Sequence, residues 1–222
     1  MRSRIMSGLM VVLLALFTVS AVVAKSSGKS RSTTATIVAG EASTKEAALH
    51  DAMRKLWEDH ITWTRLFIVS ALADLPDKGA TTDRLLQNQV DIGNAIKPYY
   101  GDAAGEKLTA LLKTHITTAA ELVAAAKAND AAKMADANKR WYANADEIAA
   151  FLSGANPKSW PAAEMKQMMH THLDLTTAEA VAHLKGNWAE DVAAYDEVHR
   201  QILHMADMLT TGIINQYPAK FK

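Results

Sequence analysis

The amino-acid sequence predicts an all-α protein, a closed bundle of about six helices formed by three degenerate helical hairpins. Beyond residue 44 the apolar residues recur at helical spacing, Ala is abundant, and no run of alternating β-branched residues is long enough for a strand. Helix-ending clusters fall at Leu75-Pro76-Asp77-Lys78-Gly79, Lys97-Pro98-Tyr99-Tyr100-Gly101, Asn129-Asp130 and Ser153-Gly154-Ala155-Asn156-Pro157. A spacing also recurs: His60 lies 31 positions before Asp91 and His115 lies 31 before Asp146. His172 precedes Asp207 by 35, the same interval plus about one helical turn. The unit endings repeat as well, since Pro157 and Pro218 each follow their Asp by 11 and Trp160 and Phe221 by 14.

The first helix is predicted over 44–75, with Leu49, Met53, Trp57, His60, Thr64, Phe67 and Ala71 on one face, which turns His60 toward the core or its edge. The second opens near Thr81 or Thr82, either of which is a suitable cap, has Asp83 in its first turn and runs to Ile96. Asn88, Asp91 and Ala95 line one side of it, and Gly93 marks close packing or a local bend. The third, over 103–128, sets Leu108, Leu111, His115, Thr118, Leu122 and Ala126 along its apolar face. The fourth follows the Asn129-Asp130 turn to Leu152, with Trp141, Ala145, Ile148 and Leu152 inward and Asp146 beside them. Pro161 opens the fifth, on which Met165, Met169 and His172 share a face. Thr176 with Glu179 forms a capping box, and Gly186-Asn187 is a second interruption, so this helix is expected to be kinked or split in two. The last runs over 188–214.

The chain ahead of this bundle carries a targeting pattern. Arg2 and Arg4, an apolar stretch from Ile5 and a small-residue cleavage site at Val22-Val23-Ala24 predict a signal peptide over 1–24. The stretch is also about as long as a membrane-spanning helix, so an uncleaved anchor over 5–24 is the alternative, and the only expected membrane contact. Residues 25–44, rich in Ser, Thr, Gly and Lys, are expected to form a flexible leader before the bundle domain at 45–222. The protein is therefore expected to be secreted or periplasmic. Removal of 1–24 leaves 22 basic against 24 acidic residues and a net charge of −2, with no basic stripe, which excludes nucleic acid as a partner. Cys is absent, which excludes disulfide and thiolate chemistry.

Three His and three Asp at repeated positions point to a transition metal such as zinc, iron, copper or manganese, because imidazole and carboxylate are its usual ligands. The candidate metal ligands are His60, Asp91, His115, Asp146, His172, His199 and Asp207, with His199 entering through Asp196-x-x-His199. That spacing is similar to the carboxylate-x-x-His units of di-iron bundles, although those use Glu and draw on four helices. Met165, Met168, Met169, Met205 and Met208 near His172 and His204 admit copper, and also fit as core filler. The competing expectation is that each His is a core residue whose nitrogens bond an Asp, a hydroxyl or a carbonyl, each His-Asp pair tying one hairpin together. A shared ion requires the three His within about 10 Å of one another. Arg65, inside an apolar span, is expected at a wet edge or paired with Asp91 or Asp207. Tyr99, Tyr100, Trp160, Tyr217 and Phe221 are expected to form one aromatic end cap. No Ser-His-Asp order, Gly-rich phosphate loop or HExxH motif is present.

Leu56-Trp57-Glu58-Asp59-His60-Ile61-Thr62-Trp63-Thr64-Arg65, Arg84-Leu85-Leu86-Gln87-Asn88 through Asn94, Pro98-Tyr99-Tyr100-Gly101, Arg140-Trp141-Tyr142-Ala143-Asn144-Ala145-Asp146-Glu147-Ile148 and Met205-Ala206-Asp207 carry a resemblance. Over 56–221 the chain resembles a largely uncharacterised family of small bacterial helical proteins, some of them exported, and this likeness implies no activity. The sequence thus leads to a non-enzymatic binding or structural protein of the envelope or extracellular space, whose partner is a protein or a small ligand. Its alternatives are a metal-binding protein using the repeated His and Asp, and a hydrolase-like enzyme with a His-Asp pair. The oligomeric state is left open.

Overall fold

The computed structural model describes the backbone from Thr33 and side chains from residue 44 onward. The signal peptide and anchor expected over 1–24, and the leader to residue 32, lie outside the described residues. Six helices follow: α1 (Thr33–Leu72), α2 (Lys78–Tyr100), α3 (Asp102–Lys127), α4 (Ala131–Ala155), α5 (Ala162–Leu184) and α6 (Trp188–Gln216), then a short 3₁₀ turn at Pro218–Phe221. The described residues contain no strand, and no helix among them is long and apolar enough to cross a membrane. The all-α bundle of hairpins is the observed architecture.

Local chemistry explains the helix ends, including those that differ from expectation. α1 stops where Asp74 takes a positive φ of 53° ahead of Pro76. α2 starts at Lys78, before the expected caps: Thr81 and Thr82 instead donate their hydroxyls to the Lys78 carbonyl, and Asp77 accepts from Ser70 across the turn. It continues through Pro98 into a final turn, where a missing N–H costs one bond. Asp130 caps α4 by accepting from the Lys133 amide. α5 is one unbroken helix, contrary to the expected split into two. The Thr176 hydroxyl donates to the His172 carbonyl within the helix, and Glu179 is engaged with Arg65, so neither forms a capping box. Gly186, with φ 71°, is where the chain turns into α6.

The helices close into a ring in chain order. α2 packs on α3, α3 on α4, α4 on α5 and α5 on α6. α1 joins α2 through Asn88 to the Leu56 carbonyl, and α6 through Thr62 with Tyr195, Arg54 with Asp207 and His199 with Glu58. Below the level of the three His, large side chains fill the centre, among them Met53, Trp57, Ile92, Ile148, Met169 and Met205. The end of the ring is covered by the aromatic cap the sequence predicts: Tyr99 stacks on Phe221, and Tyr100 packs against Trp160 and Tyr217.

α2 and α3 touch backbone to backbone at Gly93 and Gly105, where a Cβ on either glycine would lie 2.6 Å from the other's carbonyl oxygen. Close packing, rather than a bend, is thus the role of Gly93. Gly93→Ala is expected to destabilise the fold by about 1–2 kcal/mol in urea unfolding, because overpacking outweighs the gain in helix propensity. An unchanged or raised midpoint would contradict this helix approach.

Candidate functional site

The three repeated His residues meet in the interior. His60 on α1, His115 on α3 and His172 on α5 are buried, at 3%, 3% and 5% exposure. The His172 ring centroid lies 5.8 Å from that of His60 and 6.5 Å from that of His115. Each hairpin therefore contributes one imidazole from its first arm to a single layer.

The other predicted ligands do not join them. Asp91 bonds Arg84 and Gln87, Asp146 accepts from Lys166 and His170, Asp207 is held by Arg54 beside His50, and His199 bonds Glu58. No hairpin is tied by the expected His-Asp pair. The partners are carboxamides 29 positions after each His: Gln89 for His60, Asn144 for His115 and Gln201 for His172. Asp91 and Asp146 stand two residues further on, about 200° around the helix, and so face outward. Among the described residues, no group of three or more His, Asp or Glu is arranged at ion-coordinating distances.

The carboxamides set both helix register and ring protonation. Asn144 donates its amide to the Leu111 carbonyl at 3.2 Å and Gln201 to that of Met168 at 3.2 Å, one turn before His115 and His172. Each amide oxygen then accepts from Nδ1–H of its ring, at 3.0 Å and 3.1 Å. Trp141 donates its indole N–H to Nε2 of His115 at 3.2 Å, which requires the same tautomer. The first hairpin divides the task. Asn88 donates to the Leu56 carbonyl, while the Gln89 amide nitrogen faces Nδ1 of His60 at 3.3 Å and donates to Leu85 and Asn88. The two buried side-chain atoms without a partner among the described residues, Gln89 Oε1 and Trp57 Nε1, both belong to neighbours of His60.

Burial keeps all three rings neutral. It pushes His115 down to about 3 and His172 down to about 4, while His60 falls well below its ordinary value through burial and the proximity of the other two rings.

Above this layer the bundle is hollow. An apolar cavity of about 320 Å³ begins one turn beyond the rings, lined by Thr64, Ala119 and Thr176, each four residues after its His. Ile68, Val123 and Ala180 continue the walls one turn higher, and Val181 and Leu184, partly exposed, stand at the outer end. No charged residue lines it.

Beside the cavity, α5 carries a charged cluster. Arg65 donates to Glu179 at 2.8 Å and to both oxygens of Asp191 at 2.8 Å and 3.0 Å, while His183 pairs with Asp191 at 2.8 Å. The partners of Arg65 are thus Glu179 and Asp191, not Asp91 or Asp207. Burial pushes Glu179 up to about 7, against the pull of Arg65. Burial also works to raise Asp191, but the bonds from Arg65 and His183 outweigh it and hold this carboxyl below its ordinary value.

No family model, curated protein or solved structure matches the chain.

Two opposed pH effects follow. Glu179 binds a proton more tightly folded than unfolded, so its contribution rises as pH falls through about 7. The three rings refuse a proton that the unfolded chain accepts near 6.5, so their contribution is full above 6.5 and is lost toward pH 4 and below. The three rings outweigh the one carboxyl, so unfolding at a series of pH values is expected to show stability rising with pH through 6.5 and levelling off above neutrality. Glu179→Gln should steepen that rise, and a rise no less steep in His172→Gln would contradict the burial of the neutral ring.

Proposed function

We propose that the protein is an exported, non-enzymatic binding protein of the envelope or extracellular space that holds a small, uncharged, apolar ligand. The observation that carries this reading is the cavity. Its volume of about 320 Å³ reaches the size of small-molecule sites, its walls are apolar, and it has an outer end at partly exposed Val181 and Leu184. A charged ligand has no counter-charge there: the lining holds no ionic group, and the rings beneath are neutral. Arg65 and Glu179, next in sequence to the lining residues Thr64 and Ala180, are engaged with one another and with Asp191. Export is supported by the basic start, apolar stretch and Ala24 cleavage pattern of residues 1–24.

The neutral apolar fluorophore N-phenyl-1-naphthylamine tests the binding. Saturable, one-to-one fluorescence enhancement is expected with the exported chain, and its loss in Ala180→Phe, which fills the cavity. Absence of saturable binding, or equal affinity in the filled variant, would refute the proposal. Export is tested by intact mass of protein recovered outside the cytoplasm, where a mature chain beginning at Lys25 is expected.

A further inference from the structure

We infer, resting on the apolar cavity proposed above as a binding site, that its ligand is a neutral amphiphile. The apolar body fills the hollow above the three rings, and one uncharged hydrogen-bonding head, a hydroxyl or an amide, sits at the seam between α4 and α5 on Asn138 and Thr177.

The polar side chains of the cavity wall fall into two groups. Thr64 and Thr176 donate their hydroxyls to the carbonyls of His60 and His172, one turn back in their own helices, and the Trp141 indole donates to His115. Asn138 on α4 and Thr177 on α5 also line the cavity, and neither side chain is hydrogen-bonded to another described residue. The carboxamide and the hydroxyl can each donate and accept. The free hydrogen-bonding capacity of the wall is therefore concentrated on the two helices that flank one seam.

That seam is closed lower down and open at this level. Asp146 of α4 accepts from Lys166 at 2.8 Å and from His170 of α5 at 2.7 Å, and four residues further along each helix Tyr142 donates its hydroxyl to Asp174. The same step of four leads next to Asn138 and Ala178, where the ladder ends because Ala178 has no polar side-chain atom. From here upward the cavity wall is also surface: Ala135 and Asn138 on α4 and Val181 and Leu184 on α5 are exposed, and Thr177, next to Ala178, is half-buried.

This placement selects an amphiphile. A polar head drawn inside would lose its water against apolar walls, whereas a head at the rim keeps its hydrogen bonds through Asn138, Thr177 and solvent. An ionic head gains nothing further, since no charged side chain lines the cavity.

The test is displacement of N-phenyl-1-naphthylamine from the exported chain by 1-octanol, by n-butylbenzene, which has no head, and by octanoate, whose head is charged. 1-Octanol and n-butylbenzene are expected to displace the fluorophore, and octanoate to do so at least about tenfold more weakly than 1-octanol. In the double variant Asn138→Ala, Thr177→Val, 1-octanol should bind about 5–20-fold more weakly, the effect of losing one or two neutral hydrogen bonds, while n-butylbenzene and the fluorophore bind as before. Both positions are at least partly exposed and bond nothing in the fold, so the variant is expected to fold as the parent does. Unchanged 1-octanol affinity in the variant would overturn the assignment, as would an equal loss for n-butylbenzene or octanoate that binds as tightly as 1-octanol. A fluorophore that still binds in those cases leaves the cavity reading standing and removes only the head. A parent chain that binds no fluorophore removes both.

Discussion

Three imidazoles buried in one layer constrain everything around them. A polar ring taken from water must recover its hydrogen bonds inside, and the low dielectric forbids it a charge. This protein meets both demands with a carboxamide from the second arm of each hairpin. In the second and third hairpins that one amide grips the carbonyl a turn before the His and the ring itself, so it reports on the axial position of one helix against the other. A slip by one residue would rotate the carboxamide about 100° away and leave both a ring nitrogen and a carbonyl unpaired. The layer thus sets the register of each hairpin where apolar packing alone would tolerate neighbouring alternatives.

The layer also divides the interior into unlike halves. One turn below each His the first arms carry Leu56-Trp57, Leu111-Leu112 and Met168-Met169, and the space there is filled to a residual cavity of about 20 Å³. One turn above stand Thr64, Ala119 and Thr176, with Ala180 beyond, and the space is about 320 Å³. The backbone arrangement is the same on both sides. The difference is side-chain volume, and a bundle with small residues at successive inward positions of its first arms stays hollow because the helices do not collapse onto the gap. The ring layer is the floor that stops the dense half from relaxing upward.

The fold was legible because its signals are local: apolar spacing, Pro and Gly clusters, and a repeat of three. Convergence of the three His was visible as far as a shared face on three first arms. The carboxylates were misassigned because spacing counts residues while facing depends on angle. An interval of 31 and one of 29 look equivalent along the chain and point to nearly opposite sides of a helix. Gln89, Asn144 and Gln201 share the inward interval, and the carbonyls at Leu111 and Met168 recur four residues before their His; that pair of offsets was the available signal. The Thr176-Glu179 pair reads as a helix start because capping boxes are defined by sequence neighbours. Tertiary partners decided otherwise, since Glu179 finds Arg65 from α1, which no local pattern announces.

That cluster answers a problem the cavity creates. An inner wall that faces empty space loses the dispersion contacts that elsewhere hold a helix in place. α5 bears this loss over Thr176, Thr177, Ala180, Val181 and Leu184, all of which line the cavity. Along the same two turns its other side presents Glu179 and His183, bonded through Arg65 and Asp191 to α1 and α6. The directional bonds replace missing contacts on the segment that needs them, and they do so without placing an ionic group in the cavity. Their cost shows at Glu179: two carboxylates share one guanidinium, and burial leaves one of them close to protonation at neutral pH. A neutral Glu179 still accepts from Arg65 through its carbonyl oxygen while losing its repulsion with Asp191, so the wall of the cavity is held on both sides of that titration.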